Sequence, residues 1–225
     1  MEYSKAEILR EMYRTGIIPT FYQADTGFAK EIIKCCYQSG IRVIEFTNRG
    51  ENAFPVFSDL VKFVEGFPGL MLGIGTIMNA LDAERFIQTG AKFIVSPILK
   101  TELAPVCKMH DKLWIPGTAT LTEIVNARDA GAELIKIFPG SVLGPKFVSA
   151  ILPVVPGLKL MPTGGVEPTE ENLKAWFDAG IFCAGMGSQL ISRKIMEEKN
   201  WRELENKIKR ALKIVSQLRM SSSPS

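Results

Sequence analysis

The stretch GAELIKIFPG (131–140) decides the fold once it is set beside others with the same opening. In QSGIRVIEF (38–46), QTGAKFIVS (88–96), DAGAELIKIF (129–138) and DAGIFCAG (178–185), a glycine ends a helical pattern and an apolar or β-branched run follows. Glycine at such a point takes the left-handed conformation that satisfies a helix's last carbonyls without a Cβ clash. Gly40, Gly90, Gly131 and Gly180 recur at intervals of 50, 41 and 49 residues, each room for two strand–helix units.

Working outward, eight runs read as strands: IIPTF (17–21), RVIEF (42–46), LMLGI (70–74), KFIVS (92–96), KLWIP (112–116), LIKIF (134–138), LKLMP (158–162) and IFCAG (181–185). Segments such as TGFAKEIIKCCYQSG, MNALDAERFIQTG, LTEIVNARDAG and TEENLKAWFDAG lie between them, with apolar residues at helical spacing. Near-continuous apolar strands joined by helices describe a parallel sheet buried on both faces. Eight of them fit a closed (β/α)8 TIM barrel of the α/β class, one domain over residues 1–220. Its rival, an open doubly wound sheet, lacks a GxGxxG after the first strand. Residues 3–14 read as a helix ahead of the barrel, 188–219 as one or two charged helices after it, and 221–225 as a disordered tail.

Composition narrows the function. The 225 residues are 46% hydrophobic and 23% charged, ordinary for a globular chain with a full core. A net charge of +3 is too small to point to nucleic acid or an anionic membrane surface. No apolar run approaches the roughly 18 residues of a membrane span, and the first residues lack a signal peptide's unbroken apolar stretch. Cys35 and Cys36 are adjacent, Cys107 and Cys183 isolated, and no CxxC spacing suggests a metal or redox pair. A reduced, cytoplasmic enzyme is the expectation. The single histidine, His110, lies in the polar setting CKMHDK and reads as a surface residue, which leaves little for a zinc site or a histidine-driven nucleophile.

In such a barrel, function sits at the C-terminal ends of the strands. Strand 2 runs RVIEFTNRG, and alternation places Val43, Glu45 and Thr47 on one face. Strand 6 sets Lys136 between Ile135 and Ile137, where desolvation disfavours an ammonium. A free amine is what a Schiff-base nucleophile requires, and Glu45 could serve as its acid–base partner. The plainer readings are a lysine that snorkels to an edge or a structural ion pair. A closed barrel has no edge. MPTGGVEP after strand 7 (Thr163, Gly164, Gly165) and AGMGSQL after strand 8 (Gly185, Gly187, Ser188) resemble the backbone turns that hold phosphate in barrels of this kind. GIGTIMN after strand 3 adds Thr76, and SPILK after strand 4 adds Ser96 and Pro97.

Together, GIRVIEFTNRG, GIGTIMN, GAKFIVSP, WIPGTATLTE, GAELIKIFPG, MPTGGV and GMGS resemble the pyruvate-dependent class I aldolases that act on 2-keto-3-deoxy-6-phosphogluconate (KDPG) and 4-hydroxy-2-oxoglutarate (KHG). The resemblance spans roughly residues 10–195. It implies that Lys136 forms the Schiff base and that Glu45 moves protons. It implies that Arg49 and Thr76, with Thr163, hold the pyruvate carboxylate, and that Phe138 and Pro97 shape the pocket. It implies that Gly164, Gly165, Gly187 and Ser188 bind phosphate. It implies a small-molecule keto-acid substrate, no metal, no cofactor and a homotrimer. The chain departs from the family pattern at Asn48, Ile98 and Gly140, and PTFYQAD lacks an arginine that some relatives carry near strand 1. Two other readings stand beside this one: a phosphate-ligand barrel of the isomerase or transferase class, and a sugar-phosphate binding protein with Glu45–Lys136 as a structural pair.

Overall fold

The computed structural model describes residues 2–221. Strands and helices alternate in the order α1 (Lys5–Thr15), β1 (Ile17–Phe21), α2 (Thr26–Gln38), β2 (Val43–Thr47), α3 (Ala53–Val64), β3 (Met71–Gly75), α4 (Ala80–Thr89), β4 (Phe93–Val95), α5 (Leu103–Met109), β5 (Leu113–Ile115), β6 (Gly117–Thr118), α6 (Leu121–Asp129), β7 (Ile135–Ile137), α7 (Gly140–Ile151), β8 (Leu160–Pro162), α8 (Glu170–Asp178), β9 (Ala184–Met186), α9 (Arg193–Glu197) and α10 (Trp201–Ser221). Local chemistry starts the helices: Asp25, Asn79, Thr120 and Thr169 each accept a first-turn N–H, and Glu123 returns the bond to Thr120. These caps satisfy orphan donors right after strand ends, so each chain reversal is set by nearby residues.

The strands pair in parallel in the order β5-β4-β3-β2-β1-β9 and β6-β7-β8. β5 and β6 are one stave interrupted at Pro116, which has no N–H to extend the ladder. Its carbonyl still accepts from Lys136 N at 2.8 Å, so pairing passes on to β7. At the other seam, Thr163 bridges Gly185 and Phe182 N donates to Leu160 O at 2.9 Å. The ring therefore closes with eight staves, as the repeat of glycine-ended helices leads one to expect. Several strands are shorter than their apolar runs; the LIKIF run becomes β7, Ile135–Ile137.

Two apolar layers result. Between sheet and helices lie Ile44, Phe46, Ile74, Ile94, Trp114, Ile135 and Ile137. Inside the barrel lie Ile18, Val43, Met71, Phe93, Val95, Leu113, Ile115, Leu134, Met161 and Cys183. Helix α1 joins this inner layer through Ile8, Leu9 and Met12, so the expected leading helix is a plug for the barrel's N-terminal end. Burying side chains of this size contributes about 1.5–3 kcal/mol each. At the other terminus the expected charged region forms α9 and α10. Ser221, expected in the tail, is the last residue of α10, where its hydroxyl donates to Gln217 O; residues 222–225 lie outside the described residues.

Candidate active site

Glu45 and Lys136 meet inside the barrel. Their staves, β2 and β7, stand four places apart in the ring of eight, so the two side chains face each other across it. Lys136 Nζ lies 3.9 Å from Glu45 Oε1, with side chains only 4% and 1% exposed. Burial pushes the Lys136 amine below its ordinary value; Glu45 opposes that shift and Arg49 adds to it. The free amine is thus more accessible here than on an exposed lysine, and the nearby carboxylate keeps the pair from being an isolated buried charge.

The pair fits because the wall gives way around it. Glu45 is flanked in register by Thr20 and Gly73, and Lys136 by Gly117 and Met161. A Cβ on Gly75 would run into the Glu45 carboxylate, so only glycine suits that position. Likewise a Cβ on Gly117 would run into the Pro97 carbonyl, which places Pro97 beside the Lys136 stave. The Phe138 ring lies above the lysine, its centroid 5.2 Å from Nζ.

Beyond the pair, the barrel opens into a cavity of about 700 Å³. Thr47, Arg49, Phe138, Thr163, Gly164, Gly165, Gly187 and Ser188 all line it. Arg49 Nε donates to Thr76 Oγ1 at 3.4 Å. Thr76 makes that contact from the left-handed region (φ 62°), which costs a β-branched residue on the order of 1–3 kcal/mol. The fold tolerates that strain to hold a hydroxyl beside the guanidinium. The β8 turn approaches α7 so closely that a Cβ on Gly165 would meet Ser141, and Gly140 N donates to Thr163 O at 2.8 Å. Thr47 Oγ1, Thr163 Oγ1 and Glu45 Oε1 are buried without a hydrogen-bond partner among the described residues. Buried polar atoms of this kind usually meet a ligand or water.

All eleven residues singled out from the sequence therefore sit at or around the C-terminal mouth. Thr20 was missed: its hydroxyl donates to Glu45 Oε2 at 3.4 Å, and it lines the cavity. The signal was present, since alternation from Ile18 turns Thr20 inward, but a lone threonine in an apolar strand draws no notice. His110 ends α5 away from the cavity and is half-buried, not at the open surface, with Nε2 2.8 Å from Glu84 Oε2. Among the described residues, no group of three metal-ligating side chains forms, and no helix is long and apolar enough to cross a membrane.

Fold and site define a (β/α)8-barrel enzyme with a buried lysine–carboxylate pair beneath its mouth. The family model for KDPG and KHG aldolase matches residues 8–207, and the chain belongs to that family: it is a lyase of the aldolase class. It is 36% identical over 121 residues to the 2-dehydro-3-deoxy-6-phosphogalactonate aldolase of Escherichia coli (strain K12), a match that covers 53% of this chain and 58% of that protein. It is 29% identical over 197 residues to the 2-dehydro-3-deoxy-phosphogluconate aldolase of Pseudoalteromonas atlantica, covering 87% and 89% of the two chains. The solved 2-keto-3-deoxy-6-phosphogluconate aldolase of Zymomonas mobilis ZM4 with 3-phosphoglycerate superposes with a TM-score of 0.78 at 25% identity, over 91% of this chain and 94% of that one.

Proposed function

We propose that this chain is a Schiff-base aldolase that cleaves KDPG to pyruvate and glyceraldehyde 3-phosphate, with KHG cleavage to pyruvate and glyoxylate as a second activity. The observation that carries this reading is the buried Lys136–Glu45 pair facing itself across the barrel. Lys136 Nζ adds to the C2 keto carbon, and loss of water gives a protonated iminium. Glu45 takes the proton from the C4 hydroxyl; the C3–C4 electron pair flows into the iminium, and the aldehyde departs. Glu45 then returns a proton to C3 of the enamine, and hydrolysis frees pyruvate and the amine. The iminium is the electron sink, so this route calls for neither metal nor cofactor.

Arg49 and Thr76, with Thr163, are suited to the pyruvyl carboxylate, because they set one cation and two hydroxyls near the buried pair. Phe138 borders the same space, and Pro97 packs against Gly117 on the stave beside Lys136. Gly164, Gly165, Gly187 and Ser188 supply backbone and hydroxyl donors for a phosphate at the distal end. The resemblance also carries over a homotrimer, testable by light scattering, and four buried free thiols suit a reduced, cytoplasmic setting. We further infer that residues 1–220 act as a single catalytic domain.

Borohydride reduction in the presence of pyruvate, followed by peptide mass spectrometry, tests the reading. A reduced pyruvate adduct on Lys136 is expected. An unmodified Lys136 in folded protein under saturating pyruvate would overturn it. Assays with KDPG, its C4 epimer and KHG then rank the substrates; preferential turnover of the epimer would reassign the preferred sugar acid without touching the lysine chemistry.

A further inference from the structure

We infer that Thr20 is a positioning residue for Glu45, fixing which carboxylate oxygen exchanges protons with the substrate; this rests on the aldolase reading above. The two carboxylate oxygens of Glu45 have different surroundings. Oε2 accepts from Thr20 Oγ1 at 3.4 Å, whereas Oε1 lies 3.9 Å from Lys136 Nζ and is buried without a hydrogen-bond partner among the described residues. The backbone register sets this up, since Thr20 and Glu45 are direct partners across the β1–β2 pair. On the other flank of Glu45 stand Gly73 and, one layer higher, Gly75, neither of which offers a side chain. Thr20 is thus the one neighbouring stave residue with a side-chain donor for this carboxylate among the described residues.

The hydroxyl of Thr20 is itself 3.3 Å from Ile18 O. It has one hydrogen for two acceptors, and an ionised carboxylate is the stronger of them. When Glu45 is charged, the hydrogen goes to Oε2, and the ionised form gains a bond. When Glu45 is protonated, the hydrogen can turn to Ile18 O, and the buried hydroxyl is not left unsatisfied. Thr20 therefore offers a partner in both halves of the proton cycle and leaves Oε1 open toward the reacting carbon. The charged group that faces Glu45 is Lys136 from β7, and Arg49, two residues past β2, acts in turn on Lys136. β1, β3, β8 and β9, with sequences IIPTF, MLGIG, LMP and AGM, contribute no ionisable side chain.

The test compares Thr20→Val, which keeps shape and removes the hydroxyl, with Thr20→Ser, which keeps the hydroxyl, in aldol cleavage followed from below pH 5 to above pH 9. Thr20→Val is expected to lower kcat about three- to tenfold and to change KM little. It is also expected to move the acid limb of the kcat profile upward by about half a pH unit or more, because the charged carboxylate loses a donor. Thr20→Ser should keep the wild-type limb. If Thr20→Val does not fold, Thr20→Ala against Thr20→Ser makes the same comparison. A hydroxyl-free variant that folds, forms the borohydride-trapped pyruvate adduct and keeps the wild-type kcat profile overturns the inference while leaving the aldolase reading intact. Absence of that adduct from wild-type protein is a different failure and removes the parent reading.

Discussion

The two halves of the barrel interior are lined by the same eight staves and filled in opposite ways. Toward the N-terminal end, Ile18, Val43, Met71, Phe93, Leu113, Leu134, Met161 and Cys183 interlock, and Ile8, Leu9 and Met12 of α1 seal them from below. Two residues further along several of those staves stand Thr20, Glu45, Lys136 and Thr163, with Gly73 and Gly185 where bulk would be expected. One end excludes polar groups and gains stability from packing. The other accepts a buried amine and carboxylate, three orphaned polar atoms and a strained threonine, all of which cost free energy. The lower half must therefore supply much of the stability that holds the upper half in place, and mutations should sort by which half they touch.

The sharpest separation comes from Lys136→Met. It should lower kcat by at least about 10³-fold with the circular dichroism spectrum unchanged. Combined with Glu45→Leu, it should melt no lower than the parent and gain about 1–4 kcal/mol in denaturant titration, because the buried ion pair is then replaced rather than broken. A large loss of stability in that double variant would show that the pair holds the barrel together. Gly75→Ala comes next: its methyl displaces the Glu45 carboxylate, and a displacement of this kind costs about 10²-fold in kcat. Arg49→Ala should act mainly on KM for the keto acid, by about tenfold or more, as a charge-assisted contact is lost.

The lower half should answer in the opposite currency. Met12→Ala should remove about 2–5 kcal/mol of stability in urea titration and leave kcat/KM of the folded enzyme unchanged. The smallest effect is a slope. Lys136 is held below the usual lysine value of 10.5, so between its lowered folded value and 10.5 the unfolded chain keeps a proton that the folded one has released. This group's share of stability therefore rises as pH climbs toward 10.5, and Lys136→Met should flatten the dependence of the urea midpoint over that range. An unchanged slope would place the ammonium's cost elsewhere.

Much of this was legible in the chain. Gly40, Gly90, Gly131 and Gly180, each ahead of an apolar run, forced the eight-stave ring, because helix termination and strand burial are local, periodic properties. Lys136 and Glu45 stood out for the same reason, as charges in runs where water cannot follow. What alternation along one strand could not say was which residues meet across a closed sheet. That Thr20 reaches Glu45 follows from β1–β2 register, and that Gly75 must lack a Cβ follows from the carboxylate lying over it. That helix α1 is the barrel's plug follows from where Met12 ends up, not from its amphipathic pattern. Sequence by itself determined the elements, their number and the two charged residues with no place in a core. The tertiary structure alone decided the 3.9 Å separation of Glu45 and Lys136 across the barrel and the division of the interior into a packed end and a reactive end. Closing the sheet is what brings staves four places apart face to face, and no periodicity within one stave carries that distance.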